Sequence, residues 1–332
     1  MLLLRFLLLF LLLSPSLTCF SDPPPKEEPV VIYDIPFVDG IKVDGNPDDW
    51  AEKGFRNEWM NVQNEREREK IDDFDPRMRV AWNQDGLFLL ISVVDDLLSE
   101  SEGNLYQGDS IQISLKENPY KRNSLRFLIS PGLDKRFPEP RIKKFNKNDP
   151  NIVFARKKTE NGYMSEVFIP WTNLKNQPKE GDLLVLQTTF SDKDSENTFA
   201  RYVLYDYVNE GDYTFKINSH AIRLSPNPSP PILCTKKIIW NGKNNVLEVR
   251  GVRELSEKEF VAKIGSRELA RGKMGITEDK CFSVFKCEIP APEKGESLDE
   301  FEIQFADGTR SPGAQTSFKI VNVPLIVDVQ DI

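Results

Sequence analysis

Histidine is almost absent from this chain, since His220 is the single histidine among its 332 residues. A Ser-His-acid triad could use only that residue, and the surrounding sequence Asn218-Ser219-His220-Ala221 lacks a nucleophile elbow. The same scarcity, together with four scattered cysteines, disfavours a zinc site. A glycosidase needs two carboxylates across a cleft, and the 52 acidic residues form no glycosidase signature. The sequence therefore predicts a protein that is not an enzyme.

Long basic runs are also missing. The net charge is −8, and acidic and basic residues are mixed along most of the chain. Because proteins that bind nucleic acid usually present a basic stripe or patch, we expect no nucleic-acid partner. Residues 135–147 are locally basic, but Pro138 and Pro140 interrupt them. This stretch is predicted to form a solvated loop.

Only one long apolar run occurs, Phe6–Leu13, and it follows the positive charge of Arg5. The run is short for a bilayer span, so we interpret residues 1–21 as a cleaved signal peptide and expect no membrane span. This interpretation predicts a secreted or extracytoplasmic protein. Cys19 leaves lipoprotein anchoring as an alternative. Residues 22–29 are rich in proline and charge and are predicted to form an extended linker.

Cysteine is scarce as well. Signal cleavage would remove Cys19 and leave Cys234, Cys281 and Cys287, an odd number that permits at most one disulfide bond. Cys281 and Cys287 flank a segment that resembles one strand, and an extended strand would hold them too far apart to pair. The remaining alternatives are a bridge from Cys234 to either of them and three small buried thiols.

Short segments bounded by turn residues dominate the chain, and almost no helical periodicity is visible. In Ser110–Leu115, Ile111, Ile113 and Leu115 fall on one face of a strand. The loop Asn83–Gly86 has its glycine where a hairpin needs a positive φ. Many short strands at this spacing predict an all-β fold, with a β-sandwich over residues 30–225. The predicted strands are Met78–Trp82, Leu87–Val94, Ser110–Leu115, Leu125–Ser130, Ile152–Arg156, Tyr163–Ile169, Leu183–Phe190, Arg201–Leu204 and Ala221–Leu224.

A proline-rich segment then marks a domain boundary. Residues 226–231 contain four prolines and can continue neither a strand nor a helix, so they are predicted to be a linker. Residues 232–332 are predicted to form a second, smaller β-sandwich of the immunoglobulin-like type. Its predicted strands are Lys237–Trp240, Val246–Val252, Glu259–Ile264, Cys281–Glu288, Glu300–Phe305 and Thr316–Val321, and Asp307-Gly308 marks a hairpin.

Five phrases of the first domain occur in an order that resembles family-9 carbohydrate-binding modules, a group of DOMON-like sugar-binding β-sandwiches. The phrases are Ile-Lys-Val-Asp-Gly-Asn-Pro-Asp-Asp-Trp (41–50), Arg-Val-Ala-Trp-Asn-Gln-Asp-Gly-Leu-Phe-Leu-Leu-Ile-Ser-Val-Val-Asp-Asp (79–96), Tyr-Gln-Gly-Asp-Ser-Ile-Gln-Ile-Ser-Leu (106–115), Gly-Tyr-Met-Ser-Glu-Val-Phe-Ile-Pro-Trp (162–171) and Gly-Asp-Leu-Leu-Val-Leu-Gln-Thr-Thr-Phe-Ser-Asp (181–192). The resemblance covers residues 30–225. It implies an antiparallel jelly-roll or immunoglobulin-like β-sandwich that binds sugars and performs no chemistry. Trp50, Trp82 and Trp171 lie inside these phrases and are predicted to be core residues.

The resemblance also implies a sugar site in which two aromatic rings hold the ligand between them. The corresponding residues here are Tyr106 and Tyr213, where the best-known members carry tryptophan, so stacking area and affinity should be lower. Gln112 replaces an acid usual in the family, and Arg126 matches the strand arginine that could bind two hydroxyls. Asp109 is included among the sugar-binding candidates, with capping of its own loop as the alternative role.

Calcium is a common structural ion in the modules that this chain resembles. Carboxylate and carbonyl oxygens in loops are its natural ligands, and Asp44, Asp48, Asp95 and Asp96 lie in suitable loops. None of these stretches has the spacing of a defined calcium loop. The sequence therefore predicts no particular ligand set, and no cofactor is certain.

Three functions agree with these observations. The leading hypothesis is a secreted, non-catalytic protein that binds a glycan or the end of a polysaccharide through one or two sugar rings. The second is a structural or adhesion β-sandwich that has lost its sugar site, which the replacements at Tyr106, Tyr213 and Gln112 would motivate. The third is a non-catalytic subunit of a polysaccharide-degrading assembly, with a secreted glycosidase as its partner in polysaccharide catabolism.

Overall fold

The computed structural model describes residues 31–62, 68–118, 125–145, 151–194, 200–203, 220–240, 245–290, 293, 296, 301–311 and 316–320. Within these ranges the secondary structure consists of β-strands and short 3-10 turns, which confirms the all-β prediction. None of the helical segments found there is long and apolar enough to cross a membrane. The predicted signal peptide (1–21), the linker 22–29 and Tyr213 lie outside the described residues.

Eight strands before residue 226 form one sheet, which we call the front sheet. Its main path is β1–β13–β11–β6–β7–β8, with β12 on β11 and β3 on β12. Neighbours are antiparallel except for β1 and β13, which run parallel. The strands are β1 (Val31–Pro36), β3 (Asn61–Val62), β6 (Ser110–Lys116), β7 (Leu125–Ser130), β8 (Arg141–Lys144), β11 (Leu183–Asp192), β12 (Ala200–Val203) and β13 (His220–Ser225).

Five further strands form the back sheet, in the order β2–β4–β5–β10–β9. They are β2 (Phe55–Asn57), β4 (Phe74–Trp82), β5 (Gly86–Asp95), β9 (Val153–Thr159) and β10 (Gly162–Pro170). Alternate side chains of the two sheets meet in one hydrophobic core. The predicted inward face of β6 is confirmed, since Ile111, Ile113 and Leu115 are fully buried. Trp82 and Trp171 belong to the same core.

Glu166 of β10 connects the segment 162–171 to the segment 41–50. Its carboxylate accepts hydrogen bonds from the amides of Gly45 (2.7 Å) and Asp44 (3.0 Å) and from Trp50 Nε1 (2.9 Å). Gly45 has a φ of 85°, which favours glycine at that turn. Burial raises the pKa of Glu166, and the three donors oppose that effect. These hydrogen bonds hold the segment 41–50 against the back sheet, and Trp50 is buried, as predicted.

The strands after residue 233 form two other sheets around a separate hydrophobic core. One sheet has the order β18–β19–β15–β14–β22, and the other has the order β17–β16–β20–β21. The first contains β14 (Cys234–Trp240), β15 (Asn245–Gly251), β18 (Gly275–Ile276), β19 (Ser283–Ile289) and β22 (Thr316–Ile320), and the second contains β16 (Glu259–Ile264), β17 (Arg267–Lys273), β20 (Phe301–Phe305) and β21 (Arg310–Ser311). Gly308, with φ 85°, turns the predicted hairpin between β20 and β21.

The two sandwiches are in direct contact. Trp59 of the first is buried in the core of the second, with its ring edge-on to Phe282 at 5.5 Å between centroids. The guanidinium of Arg68 lies 4.3 Å from the centre of the Trp59 ring and 5.0 Å from that of Tyr202. Arg68 also forms an ion pair with Asp75, so its buried charge is compensated.

The proline-rich segment between the sandwiches is bonded to the first one. Asp34 N donates to the Ser229 hydroxyl at 2.7 Å, and Ser229 N donates to the Asp34 carbonyl at 2.9 Å. Beyond it, Ile232 N donates to the Arg56 carbonyl at 3.0 Å, and Glu58 N donates to the Ile232 carbonyl at 2.9 Å. Strand β14 begins two residues later, so this isolated bridge ties the first sandwich to the start of the second.

Some local predictions were wrong. Residues 135–147 were expected to form a solvated loop, but Arg141–Lys144 forms strand β8 at the edge of the front sheet. Its apolar Ile142 packs toward the core while its basic side chains stay partly in water, a division that amphipathic residues permit. Cys281 precedes β19 instead of opening it. Cys234, Cys281 and Cys287 carry free thiols, which resolves the alternatives in favour of no bridge among them.

Candidate functional site

The side of the front sheet opposite its core carries mostly polar side chains, and we call it the outer face. Ser114, Leu128 and Gln187 are buried there, whereas Gln112 and Arg126 are half-buried. In the register of the sheet, Gln112 lies between Leu128 and Thr189, and Ser114 lies between Arg126 and Gln187. Because side chains alternate along a strand, these residues point away from the buried Ile111 and Ile113. Lys143 of β8 is paired with Leu128 and extends the outer face to the sheet edge.

Tyr106 reaches this face from the loop before β6. A 3-10 turn at Leu105–Gln107 presents its ring, and the Asn104 side chain caps the turn by accepting a hydrogen bond from Tyr106 N at 3.2 Å. Leu105 is buried and fixes the turn against the protein, while Tyr106 is half-buried. The Tyr106 ring lies 5.9 Å from that of Phe145, at an interplanar angle of 36°. Two aromatic faces are therefore adjacent at the edge of the outer face.

Two cationic side chains complete this group. The Arg126 guanidinium lies 4.5 Å from the centre of the Phe145 ring. The Lys143 ammonium lies 5.3 Å from the same centre and 6.0 Å from that of Tyr106. These distances are typical of cation–π contacts, which hold the long side chains near the rings. We call Tyr106, Arg126, Lys143 and Phe145 the Tyr106 cluster. It combines aromatic surface with several hydrogen-bond donors.

The structure brings together three of the residues predicted for the site. Tyr106 and Arg126 share the cluster, and Gln112 lies on the same face of the sheet. Phe145 and Lys143 were missed because residues 135–147 were interpreted as a solvated loop. Gln187 was missed although the alternation in β11 would have placed it beside Ser114. Tyr213, the proposed second ring, falls outside the residues that the structure describes.

Asp109 takes the alternative role considered for it. Its carboxylate is buried, with 1% exposure, and accepts hydrogen bonds from Ser99 N and from Lys193 N, the latter at 3.0 Å. It therefore lies beneath the loop and not on the outer face, which corrects its place among the sugar-binding candidates. Because it follows Tyr106 by three residues, it anchors the end of the loop that presents the ring.

A cluster of buried carboxylates surrounds that anchor. One oxygen from each of Asp95, Asp109 and Asp192 lies within 4.8 Å of the others, and all three residues are buried. Burial raises the pKa of Asp95 to about 7. Burial, with the nearby charge of Asp95, raises the pKa of Asp109 to about 9. The pKa of Asp192 is also raised, by burial and by Asp194. Like charges are thus concentrated where water cannot screen them.

A second carboxylate group adjoins the first. Oxygens of Glu69, Asp73 and Asp194 lie within 4.8 Å of one another, and these residues are half-buried. Burial and Asp73 raise the pKa of Asp194 to about 6. The Tyr202 hydroxyl donates to Glu69 at 2.9 Å, which fixes one member of the group. We call the two groups together the carboxylate cluster.

The carboxylate cluster has the chemistry of a site for a hard divalent cation. The Oδ2 atoms of Asp95 and Asp192 are buried and accept no hydrogen bond from any part of the chain that the structure describes. No lysine or arginine in that part forms an ion pair with a member of the cluster. Buried carboxylates normally need such a partner or a metal ion. Of the aspartates considered from sequence, Asp95 belongs here, whereas Asp44 and Asp48 bond to Asn46 in their own loop.

Comparisons with known proteins identify one family. The sequence model of the family described as "Carbohydrate family 9 binding domain-like" matches residues 43–216, slightly more than half of the chain. Similar solved structures include a carbohydrate binding module family 9 (CBM9) from Caldicellulosiruptor kristjanssonii in complex with cellotriose, at 17% identity and a TM-score of 0.47, covering 59% of this chain and 94% of that one. The same module in complex with glucose gives 17% identity and a TM-score of 0.48, covering 59% and 96%. No curated protein matches the chain.

Proposed function

Because this chain belongs to the carbohydrate family 9 binding domain-like family, we propose that it is a non-catalytic carbohydrate-binding protein whose ligand lies on the outer face of the front sheet. The observation that carries this proposal is the Tyr106 cluster, in which two aromatic rings lie beside an arginine and a lysine. A pyranose has apolar C–H faces that stack on aromatic rings and hydroxyls that need donors and acceptors.

The polar residues beside the cluster suit hydroxyl recognition. The amides of Gln112 and Gln187 each offer one acceptor and two donors, and they lie on adjacent strands of the outer face. The planar guanidinium of Arg126 can donate to two neighbouring hydroxyls at once. This array matches the vicinal hydroxyls of one sugar ring.

The affinity of such a site is expected to be modest. One or two sugar rings bury little area, and the neutral Gln112 replaces a charged hydrogen-bond acceptor. We therefore expect dissociation constants in roughly the high-micromolar to millimolar range. Screening on a glycan array, followed by calorimetric titration with mono- and disaccharides, tests the proposal. Failure to bind any glycan would reject it and favour a structural or adhesion role for the sandwich.

We also propose that the carboxylate cluster holds a structural calcium ion. Asp95, Asp109 and Asp192 would supply oxygen ligands, which Ca²⁺ prefers, and the ion would neutralise their mutual repulsion. Because Asp109 anchors the loop of Tyr106, an ion at this position would also stabilise the sugar-binding ring. Thermal unfolding with calcium and with a chelator tests the assignment, since equal melting temperatures would contradict it.

Export and partnership are further parts of the proposal. The Arg5 and Phe6–Leu13 pattern supports secretion, and mass spectrometry of exported protein should then show loss of about the first 21 residues. An intact Met1 or a lipid on Cys19 would contradict this cleavage. A non-catalytic glycan-binding protein also suits a polysaccharide-degrading assembly. Copurification of a glycosidase with the exported protein would support that partnership.

A further inference from the structure

The charges on the outer face have one sign. Along β6, β7, β8 and β11, the positions that face outward include four basic residues and no acidic residue, although the whole chain has a net charge of −8. The basic residues are Lys116, Arg126, Arg141 and Lys143; Lys116 is buried, so the charge near the surface comes from the other three. The buried Glu100, in a neighbouring loop, forms an ion pair with Arg141 at 3.4 Å and offsets part of this positive charge. A positive surface on an acidic protein attracts anionic ligands.

Lys143 is the most informative of these residues. Its ammonium lies against the Tyr106 and Phe145 rings, at the place where a stacked sugar would lie. Its side chain is exposed, and none of the described acidic residues forms an ion pair with it. By contrast, Arg136 and Arg141 at the same edge are paired with Asp134 and Glu100. The charge of Lys143 is therefore available to a ligand.

The remaining polar groups of the face support the same conclusion. Gln112 is neutral, and so are Gln187 and Ser114 beside it. An acid at this position would repel an anionic ligand, whereas an amide does not. The planar guanidinium of Arg126 has the fork geometry that matches a carboxylate in two parallel hydrogen bonds. The Lys143 side chain is long and exposed, so its ammonium can shift from the rings to a charged group of the sugar.

We propose that the ligand is an anionic saccharide, a pyranose that carries a carboxylate or sulfate group, and that Lys143 and Arg126 recognise this charge while Tyr106 stacks on the ring. The inference rests on the proposed function, because it names the substrate class of the same site. Under this proposal, the ligand differs from a neutral sugar of the same ring shape only in its charge.

Matched sugar pairs test the inference with the full-length mature protein. Calorimetric titrations would compare D-glucuronic acid with D-glucose and D-galacturonic acid with D-galactose, with glucose 6-sulfate as a separate arm. We expect the better uronic acid to bind about tenfold more tightly than its neutral counterpart at low ionic strength, since charge-assisted hydrogen bonds are about twice as strong as neutral ones. The preference should shrink in ~0.5 M salt, where surface charges are screened.

Two substitutions at Lys143 test whether this residue causes the preference for the uronic acid. Lys143→Gln should reduce the preference for the uronic acid to about threefold or less, because one of two cations is lost, and Lys143→Glu should abolish it. Lys157→Gln, which removes an exposed lysine from β9 of the back sheet, is the matched control and should leave the preference unchanged. Preference for both the sulfate and the uronic acid indicates charge recognition, and preference for the uronic acid alone indicates carboxylate geometry. Either result supports the proposal.

Other outcomes overturn it. Equal or weaker binding of both uronic acids and the sulfate, with clear binding of the neutral sugars, would reject the anionic ligand and leave the proposed carbohydrate-binding function intact. A preference that ignores salt or survives Lys143→Glu would place the charge recognition elsewhere. Absence of binding to charged and neutral sugars alike would reject both proposals together.

Discussion

The outer face of the front sheet and the carboxylate cluster are only three residues apart along the chain, at Tyr106 and Asp109, yet their electrostatics are opposite. The outer face gathers positive charge at an exposed edge, where water or a ligand can solvate it. The carboxylate cluster gathers negative charge in a buried place, where like charges repel strongly. A group of exposed like charges is stable without a bound ligand, because water solvates it. A group of buried like charges must instead be protonated or bind a cation.

The largest expected effect comes from removing divalent cations. With calcium at ~100 times its dissociation constant, binding should stabilise the fold by about 2.7 kcal/mol, or roughly 5–10 °C in melting temperature. Scanning calorimetry with calcium and with a chelator measures this difference. Asp192→Asn should abolish it, while Asp48→Asn, at an exposed aspartate outside the cluster, should not. A calcium effect that persists in Asp192→Asn would contradict the assignment.

The pH dependence of stability should reverse with the cation. Asp95 and Asp109 have pKa values of about 7 and about 9, both above that of an unfolded aspartate. The metal-free folded state therefore binds more protons than the unfolded state, and its stability should fall as the pH rises from 5 through 7 toward 9. We expect a loss on the order of 2 kcal/mol between pH 5 and 7. Denaturant unfolding in a chelator measures it, and saturating calcium should remove the decline.

Truncation of the half-buried Tyr106 ring tests the outer face. Tyr106→Ala should weaken sugar binding by about 1–2 kcal/mol through loss of a stacking face. Arg126→Ala should cost about as much, through lost hydrogen bonds to the ligand. Both variants should fold, because these side chains are only partly buried. Calorimetric titration measures the loss, and binding that is unaffected by both changes would move the site away from the Tyr106 cluster.

A smaller effect is expected at Gln187. Replacement by alanine removes a neutral amide from the outer face and should weaken binding by about 0.5–1.5 kcal/mol. Gln177→Ala, which changes a glutamine that donates to the Gln84 carbonyl away from the outer face, is the matched control and should leave the affinity unchanged. Equal losses in the two variants would show that the effect is not specific to the site.

The smallest expected effect links the two regions. Because Asp109 anchors the loop that presents Tyr106, chelation should weaken sugar binding about threefold, a coupling of about 0.7 kcal/mol. The same treatment should leave the residual binding of Tyr106→Ala unchanged, since that variant lacks the ring which the ion positions. Chelation that weakens both proteins equally would indicate a general loosening of the fold and no coupling through the loop.

The sequence predicts much of the fold because strands and turns have local signatures. Strand Leu125–Ser130 has the bounds expected from its apolar residues, and the Asn83–Gly86 turn forms the expected hairpin. The expected positive φ at Gly86 was wrong; a side chain is excluded there because a Cβ would lie 2.3 Å from the Phe168 ring. Strand β8 was not predicted because its stability comes from pairing with β7, and its own basic residues favour no strand. Local signals therefore define strands that carry their own hydrophobic pattern and miss those that depend on a neighbour.

The site was less predictable for a related reason. Asp95, Asp109 and Asp192 come from three distant segments, and no spacing in the sequence connects them. Topology brings them together, because β5 ends, β6 begins and β11 ends at the same end of the sandwich. Tyr106, Gln112 and Arg126 could be proposed only from resemblance to a family, and their cationic neighbour Lys143 became visible once β8 was placed beside β7.

The insertion of Trp59 into the second sandwich, with Arg68 stacked on it, has a mechanical consequence. If the second sandwich were attached to a support, the outer face would keep a fixed orientation relative to that support. The packed contact between the sandwiches resists rotation, which a flexible linker would not. Each copy attached to a surface would then contact a polysaccharide chain only over a limited range of orientations. Avidity among several copies would depend on whether those angles coincide along one polymer, since linked sites reinforce each other only when their geometry allows simultaneous contact.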